Sequence, residues 1–123
     1  MTPVIAVDIP MAIASQNSFM YKHWRHYNRY MHEWQSAISH FIGRPAAHCA
    51  AKRRCQIISQ RGRLLDMGNL VGGAKPIPDI LQRLGWIVDD SPKWFTCAYE
   101  QEQVKGATRK PVTTIRLWDD VET

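Results

Sequence analysis

No stretch of this 123-residue chain is apolar for long enough to cross a bilayer, so a membrane span is not expected. The first ten residues, MTPVIAVDIP, lack a basic leader, a long apolar run and a small-residue cleavage site, and a secretory signal peptide is not expected either. Cysteine is scarce: Cys49, Cys55 and Cys97 are odd in number, and none stands in a CxxC spacing. That argues against a disulfide framework and a zinc knuckle and favours a reducing, cytoplasmic setting. His23 and His26 lack the HExxH arrangement, which argues against a histidine metal site. Acids are few as well, 11 against 16 Lys and Arg. Three of them, Asp119, Asp120 and Glu122, fall in the last five residues; without that segment the net charge rises from +5 to +8. Such a balance suits nucleic acid or another polyanion.

With 45% hydrophobic and 22% charged residues, and no repeat, linker or low-complexity tract, the chain reads as one globular domain over 1–123. Residues 119–123 are expected to form a disordered acidic tail. Ile5, Val7 and Ile9 alternate and predict a first strand ended by Pro10. Met20, Trp24, Tyr27, Met31, Trp34, Ile38 and Phe41 recur at steps of three and four, predicting one long amphipathic helix that Ser18 caps and Gly43 with Pro45 stops. Its apolar stripe could pack on its own sheet or on a second subunit. A second strand is expected within Lys52 to Arg61, and a short helix after Pro76, with Ile77, Ile80, Leu81 and Leu84 on one face before Gly85. Strands over Trp94 to Gln101 and Val112 to Trp118 follow, with residues 102–111 expected to join them as a hairpin. The order βαβαββ implies an α+β two-layer sandwich, a small mixed sheet packed against a long and a short helix.

The polar face of the long helix crowds Lys22, His23, Arg25, His26, Arg29 and His32 before the first acid at Glu33. Without an anionic partner that density repels itself, so Lys22, Arg25 and Arg29 are candidate nucleic-acid contacts. GNLVGGAK is not a phosphate-binding P-loop: Lys75 comes one residue late, and Pro76 stands where Ser or Thr would hold magnesium. Gly72 and Gly73 are expected in a tight turn or connection that brings backbone close to a neighbour. Against the basic background, Asp66, Asn69, Lys75, Asp79, Asp89 and Asp90 gather within twenty-five residues. Singly they read as ordinary turn and helix-start residues; together, carboxylates beside a lysine suit a hard cation and a phosphodiester.

The run RLLDMGNLVGGAKPIPDILQRLGWIVDDSPKW resembles the RusA-type Holliday-junction resolvases of bacteria and their phages. Asp66, Asn69-Leu70, Lys75, Asp79-x-Leu81, Gly85 and Asp89-Asp90 carry the resemblance, which covers most of the chain; NLVGGAK and DDSPKW look especially like phage-type members. The resemblance implies a homodimeric, Mg²⁺-dependent endonuclease, with Mn²⁺ as a substitute, placing paired nicks in four-way or branched DNA during recombination or repair. It implies a bacterial or phage-infected cytoplasm and no membrane. Carried over, Asp66 and Asp90 are metal-site carboxylates, Lys75 is a catalytic or phosphate-contacting cation, and Asn69, Asp79 and Asp89 support the site. Arg61, Arg63 and Lys93, near these carboxylates in sequence, are candidate phosphate contacts.

One departure weakens the match. The family pattern is Asp-x-Asp-Asn, whereas this chain reads Asp66-Met67-Gly68-Asn69 and so lacks the second carboxylate. A catalytically impaired binder of branched DNA is therefore an alternative, and a small basic interaction protein whose acidic turns are structural is another.

Overall fold

A computed structural model describes residues 2–19, 22–106 and 110–121. It is an α+β fold. Four strands, β1 (Ile5–Ile9), β2 (Arg53–Arg61), β3 (Phe95–Gln103) and β4 (Val112–Asp119), form one mixed sheet in the order β1-β4-β2-β3. Three helices pack on one side: α1 (Trp24–Phe41), then α2 (Met67–Ala74) and α3 (Pro76–Leu84), which together make one bent rod. Among the described residues no helix is long and apolar enough to cross a membrane.

β2 and β3 are parallel, in register from Arg53 with Phe95 to Arg61 with Gln103. Parallel neighbours need a crossover, and α2 with α3 supplies it. β4 runs antiparallel to both β1 and β2. The expected hairpin between the last two strands is thus corrected: β2 lies between β3 and β4. Side-chain character explains the placement. β4 buries Thr113, Thr114, Ile115 and Leu117, whereas β3 fully buries only Phe95 and carries Glu100 and Glu102, a composition suited to a sheet edge.

α1 starts later than its periodicity suggests. Gln16–Ser18 forms a separate short 3-10 helix, and the Ser18 hydroxyl is committed to the Ser15 carbonyl at 2.6 Å. His23 is the N-cap instead, its Nδ1 accepting the Arg25 N–H at 3.2 Å. Met20 lies outside the described residues. The buried side of α1 is Tyr30, Trp34 and Ile38, with Tyr27 and Ala37 beside it, so Trp24 and Phe41 stand off the core. Gly43, at φ 72°, donates to the Ile38 carbonyl and ends the helix as expected.

The glycines of α2 adopt helical backbone rather than a tight turn, but the expected close approach is there. A Cβ at Gly73 would stand 1.7 Å from the Ala14 carbonyl oxygen, and one at Gly72 2.3 Å from Gln16 Oε1. The absence of side chains is what lets the 11–18 segment lie on α2. Pro76, without an N–H, bends the rod into α3, which Gly85 closes at φ 99°. Residues 119 and 120 are not a disordered tail: Asp119 ends β4 and pairs with Arg53 at 3.0 Å, and Asp120 pairs with Lys52 at 3.7 Å.

Candidate functional site

A cleft of about 370 Å³ opens between the bent rod and β3. Val71, Gly72 and Lys75 of α2 and its junction, Pro78 and Asp79 of α3, Asp90 of the following turn, and Phe95, Cys97 and Tyr99 of β3 line it. Three of the residues singled out from sequence, Lys75, Asp79 and Asp90, therefore share one wall-to-wall space. Lys75 gets there because it is the hinge between α2 and α3, its own backbone still helical. Asp79 belongs to the first turn of α3, where a carboxylate is favoured by the helix dipole.

Asp89 and Asp90 divide their labour. Asp89 Oδ1 accepts the Ser91 N–H at 2.7 Å and so shapes the turn. That leaves the exposed Asp90 as the member of the pair that lines the cleft.

Asp66 is the N-cap of α2, and its carbonyl accepts the Leu70 N–H at 3.0 Å. Its carboxylate makes no capping hydrogen bond, unlike most N-cap aspartates. Nine residues of helical rise separate it from Lys75, about 13 Å along the rod, and Asp66 is not among the cleft-lining residues. Gly68 links the two. It occupies the same helical stripe as Val71, Gly72 and Lys75, and a Cβ there would meet only Asp66 Oδ2, at 3.5 Å. The departure from the family pattern therefore leaves open space on the cleft side of α2. Upstream, Gln101 of β3 holds the segment in place, accepting the Leu65 N–H at 3.0 Å and donating to its carbonyl at 2.7 Å.

Asn69 holds backbone: its Oδ1 accepts the Asn17 N–H at 3.2 Å, tying α2 to the 3-10 helix. The basic candidates scatter. Lys22, Arg25 and Arg29 are exposed at the N-terminal end of α1, and Arg63 is exposed after β2. Lys93 is exposed, its ammonium 5.2 Å from the Trp94 ring centre. Arg61 is different: its guanidinium donates to the carbonyls of Ile13 at 2.7 Å and Arg63 at 2.6 Å, so it braces the fold.

The cleft also contains groups that were not singled out from sequence. Cys97 faces Cys55 in the β2–β3 register. Side-chain hydrogen bonding between the two thiols lowers the Cys97 pKa and, with burial, pushes Cys55 well above its ordinary value. Burial, reinforced by Cys97, pushes the Tyr99 phenol up. On α1, Tyr27 is raised by partial burial and by the charge of Asp79, with Lys75 opposing, which puts this tyrosine within electrostatic reach of the cleft. Phe95, Cys97 and Tyr99 alternate along β3 and so share one face of the strand; what covers that face depends on the crossover helices.

Compared with known proteins, the chain matches no family model and no curated protein.

Proposed function

We propose that the protein is a metal-dependent endonuclease acting on four-way or branched DNA, as the RusA-type resemblance implies, and that it works as a homodimer. One observation carries this reading: Lys75, Asp79 and Asp90 line one cleft on a strongly basic chain. Carboxylate oxygens are the donors a hard cation takes, although among the described residues no three candidate ligands come together as a group. Asp90 is exposed, and the Asp66 carboxylate is free of the capping bond that would otherwise occupy it. Mg²⁺ bound there would stabilise the charge that develops on a phosphodiester under attack by water. Asp90 and Asp79 are the carboxylates that would hold the ion inside the cleft, whereas Asp66, at the far end of α2, stands outside its lining. Lys75 neutralises a non-bridging phosphate oxygen and orients the strand. Asn69 and Asp89 fix backbone, the first of α2 and the second of the turn that presents Asp90. A two-fold dimer would address the two equivalent strands of a four-way junction.

A second reading has its own observation. The open space at Gly68 removes one carboxylate from the cleft-side stripe of α2, and a protein that binds branched DNA without cutting it would follow. A labelled four-way junction and its matching duplex, incubated with the protein in Mg²⁺ and resolved for complexes and products, separate the two. Nicks confined to the junction support the endonuclease. A junction-specific complex that stays intact in Mg²⁺ and in Mn²⁺ supports the binder, and equal treatment of both substrates contradicts both.

A further inference from the structure

The periodicity of α1 assigns Trp24 to the apolar stripe, yet the fold leaves this indole 63% exposed while the stripe runs on through Tyr30, Trp34 and Ile38. A single exposed apolar side chain is ordinary on a protein surface. The surroundings of this one are not apolar. The Arg25 guanidinium lies 6.0 Å from the ring centre, and the His23 ring 5.3 Å away at a tilt of 34°. Lys22, His26 and Arg29 are exposed on the same end of the helix. Cations around an indole suit neither a lipid tail nor an aliphatic protein patch. They suit a ligand with a flat π-face attached to a phosphate.

Position narrows the ligand further. One helical turn beyond Trp24 is Tyr27, which meets Phe19 edge-on at 5.4 Å and senses Asp79 and Lys75. Tyr27, roughly 5 Å along α1 from the indole, thus ties the Trp24 end of the helix electrostatically to the cleft residues. Bases in an intact duplex are already stacked on their neighbours and offer no free face. Unpaired bases, as at a branch point or a single-stranded end, do.

We propose that Trp24 is a stacking platform for an unpaired nucleobase, with Lys22, Arg25 and Arg29 gripping the adjoining phosphates. The assignment rests on the DNA-binding reading above and adds the structural element of DNA that is recognised. The indole supplies preference for free bases, and the cations supply sequence-independent grip.

The test uses the full chain and two labelled oligonucleotides of equal length, a single-stranded oligothymidylate and its abasic counterpart, which keeps the phosphates and removes the bases. Stacking of one base on an aromatic side chain corresponds to about a 5- to 150-fold gain in affinity. The wild-type protein should therefore bind the oligothymidylate at least about 5-fold more tightly than the abasic strand. Trp24→Ala should abolish that preference while leaving abasic affinity unchanged, and Trp24→Phe should retain most of it. Trp24 is too exposed for either change to threaten folding. If Trp24→Ala keeps the full preference, or the wild type shows none while binding both strands, the platform is wrong and the DNA reading survives. If the wild type binds neither strand nor a four-way junction, both fail together.

Discussion

The Tyr30 hydroxyl donates to the Gly73 carbonyl, and the Tyr30 oxygen itself accepts the Ala14 N–H at 3.1 Å. One phenol on α1 thereby fixes both α2 and the loop that crosses it, and α2 is the element that delivers Lys75 to the cleft. Tyr30→Phe leaves a buried carbonyl without this donor and should cost about 1–3 kcal/mol in a urea unfolding series. Gly73→Ala should cost more, because its Cβ would collide with backbone rather than with a flexible side chain. Equal stability of the Gly73→Ala protein would contradict the close approach described here.

Substitutions in the cleft should separate binding from chemistry. Asp90→Asn and Lys75→Ala are expected to lower the rate of junction nicking by about 100-fold or more, the usual scale for losing a group that stabilises charge in the transition state. Gel-shift affinity should hold for Asp90→Asn and fall modestly for Lys75→Ala. Parallel loss of affinity and rate for Asp90→Asn would point to a purely structural role.

Gly68→Asp places a carboxylate where nothing but Asp66 Oδ2 stands nearby. Its predicted effect is tighter Mg²⁺ dependence: half-maximal nicking at lower metal concentration, or the appearance of nicking if the wild type only binds. A variant that folds normally and shows no change in either would remove Gly68 from the account of the site.

Burial raises the pKa of Tyr27, Tyr30 and Tyr99 above the ordinary value of 10.0. The unfolded chain releases these protons first, so the stability they contribute is intact below about pH 10 and is lost as pH rises through the higher folded values. Ultraviolet titration should show these tyrosinates appearing together with alkaline unfolding rather than before it. Tyr99→Phe should flatten the alkaline decline.

Cys97 ionises ahead of Cys55, and only Cys97 lines the cleft. In a Cys49→Ser background, iodoacetamide at mildly alkaline pH should modify Cys97 in the native protein and reach Cys55 only on unfolding, as read by peptide mass. Alkylation of Cys97 should also suppress nicking by filling the cleft. Modification of Cys55 first would reverse the assignment.

Much of this arrangement is legible in the amino-acid order. Alternation marks β1, β3 and β4, the adjacent Ile57 and Ile58 mark β2, the step of three and four marks α1, and Pro76 with Gly85 brackets α3. Other features depend on tertiary packing. GNLVGGA holds three glycines, among the poorest helix formers, yet it is helical, and two of them, Gly72 and Gly73, admit the 11–18 segment. Adjacency in sequence suggested that β3 and β4 pair, whereas the crossover through α2 and α3 sends β3 to the edge. In the site, Lys75, Asp79 and Asp90 could be picked out by residue type, and the fold brings them together. Tyr27 and Cys97 could not, since their relation to the cleft comes from the packing of α1 and β3 against the rod. Trp24 misleads for a related reason: helical period says which side a residue faces, not where the neighbouring layer ends.

The site proposed at Lys75, Asp79 and Asp90 is a metal-dependent phosphodiesterase centre. It is tested most directly by incubating wild-type and Asp90→Asn protein with an end-labelled four-way junction, with Mg²⁺ and with chelator, and mapping the products at nucleotide resolution. The expected products are paired nicks beside the crossover that require both Mg²⁺ and Asp90. Nicks that persist in chelator, or that Asp90→Asn produces at the wild-type rate, would contradict the assignment.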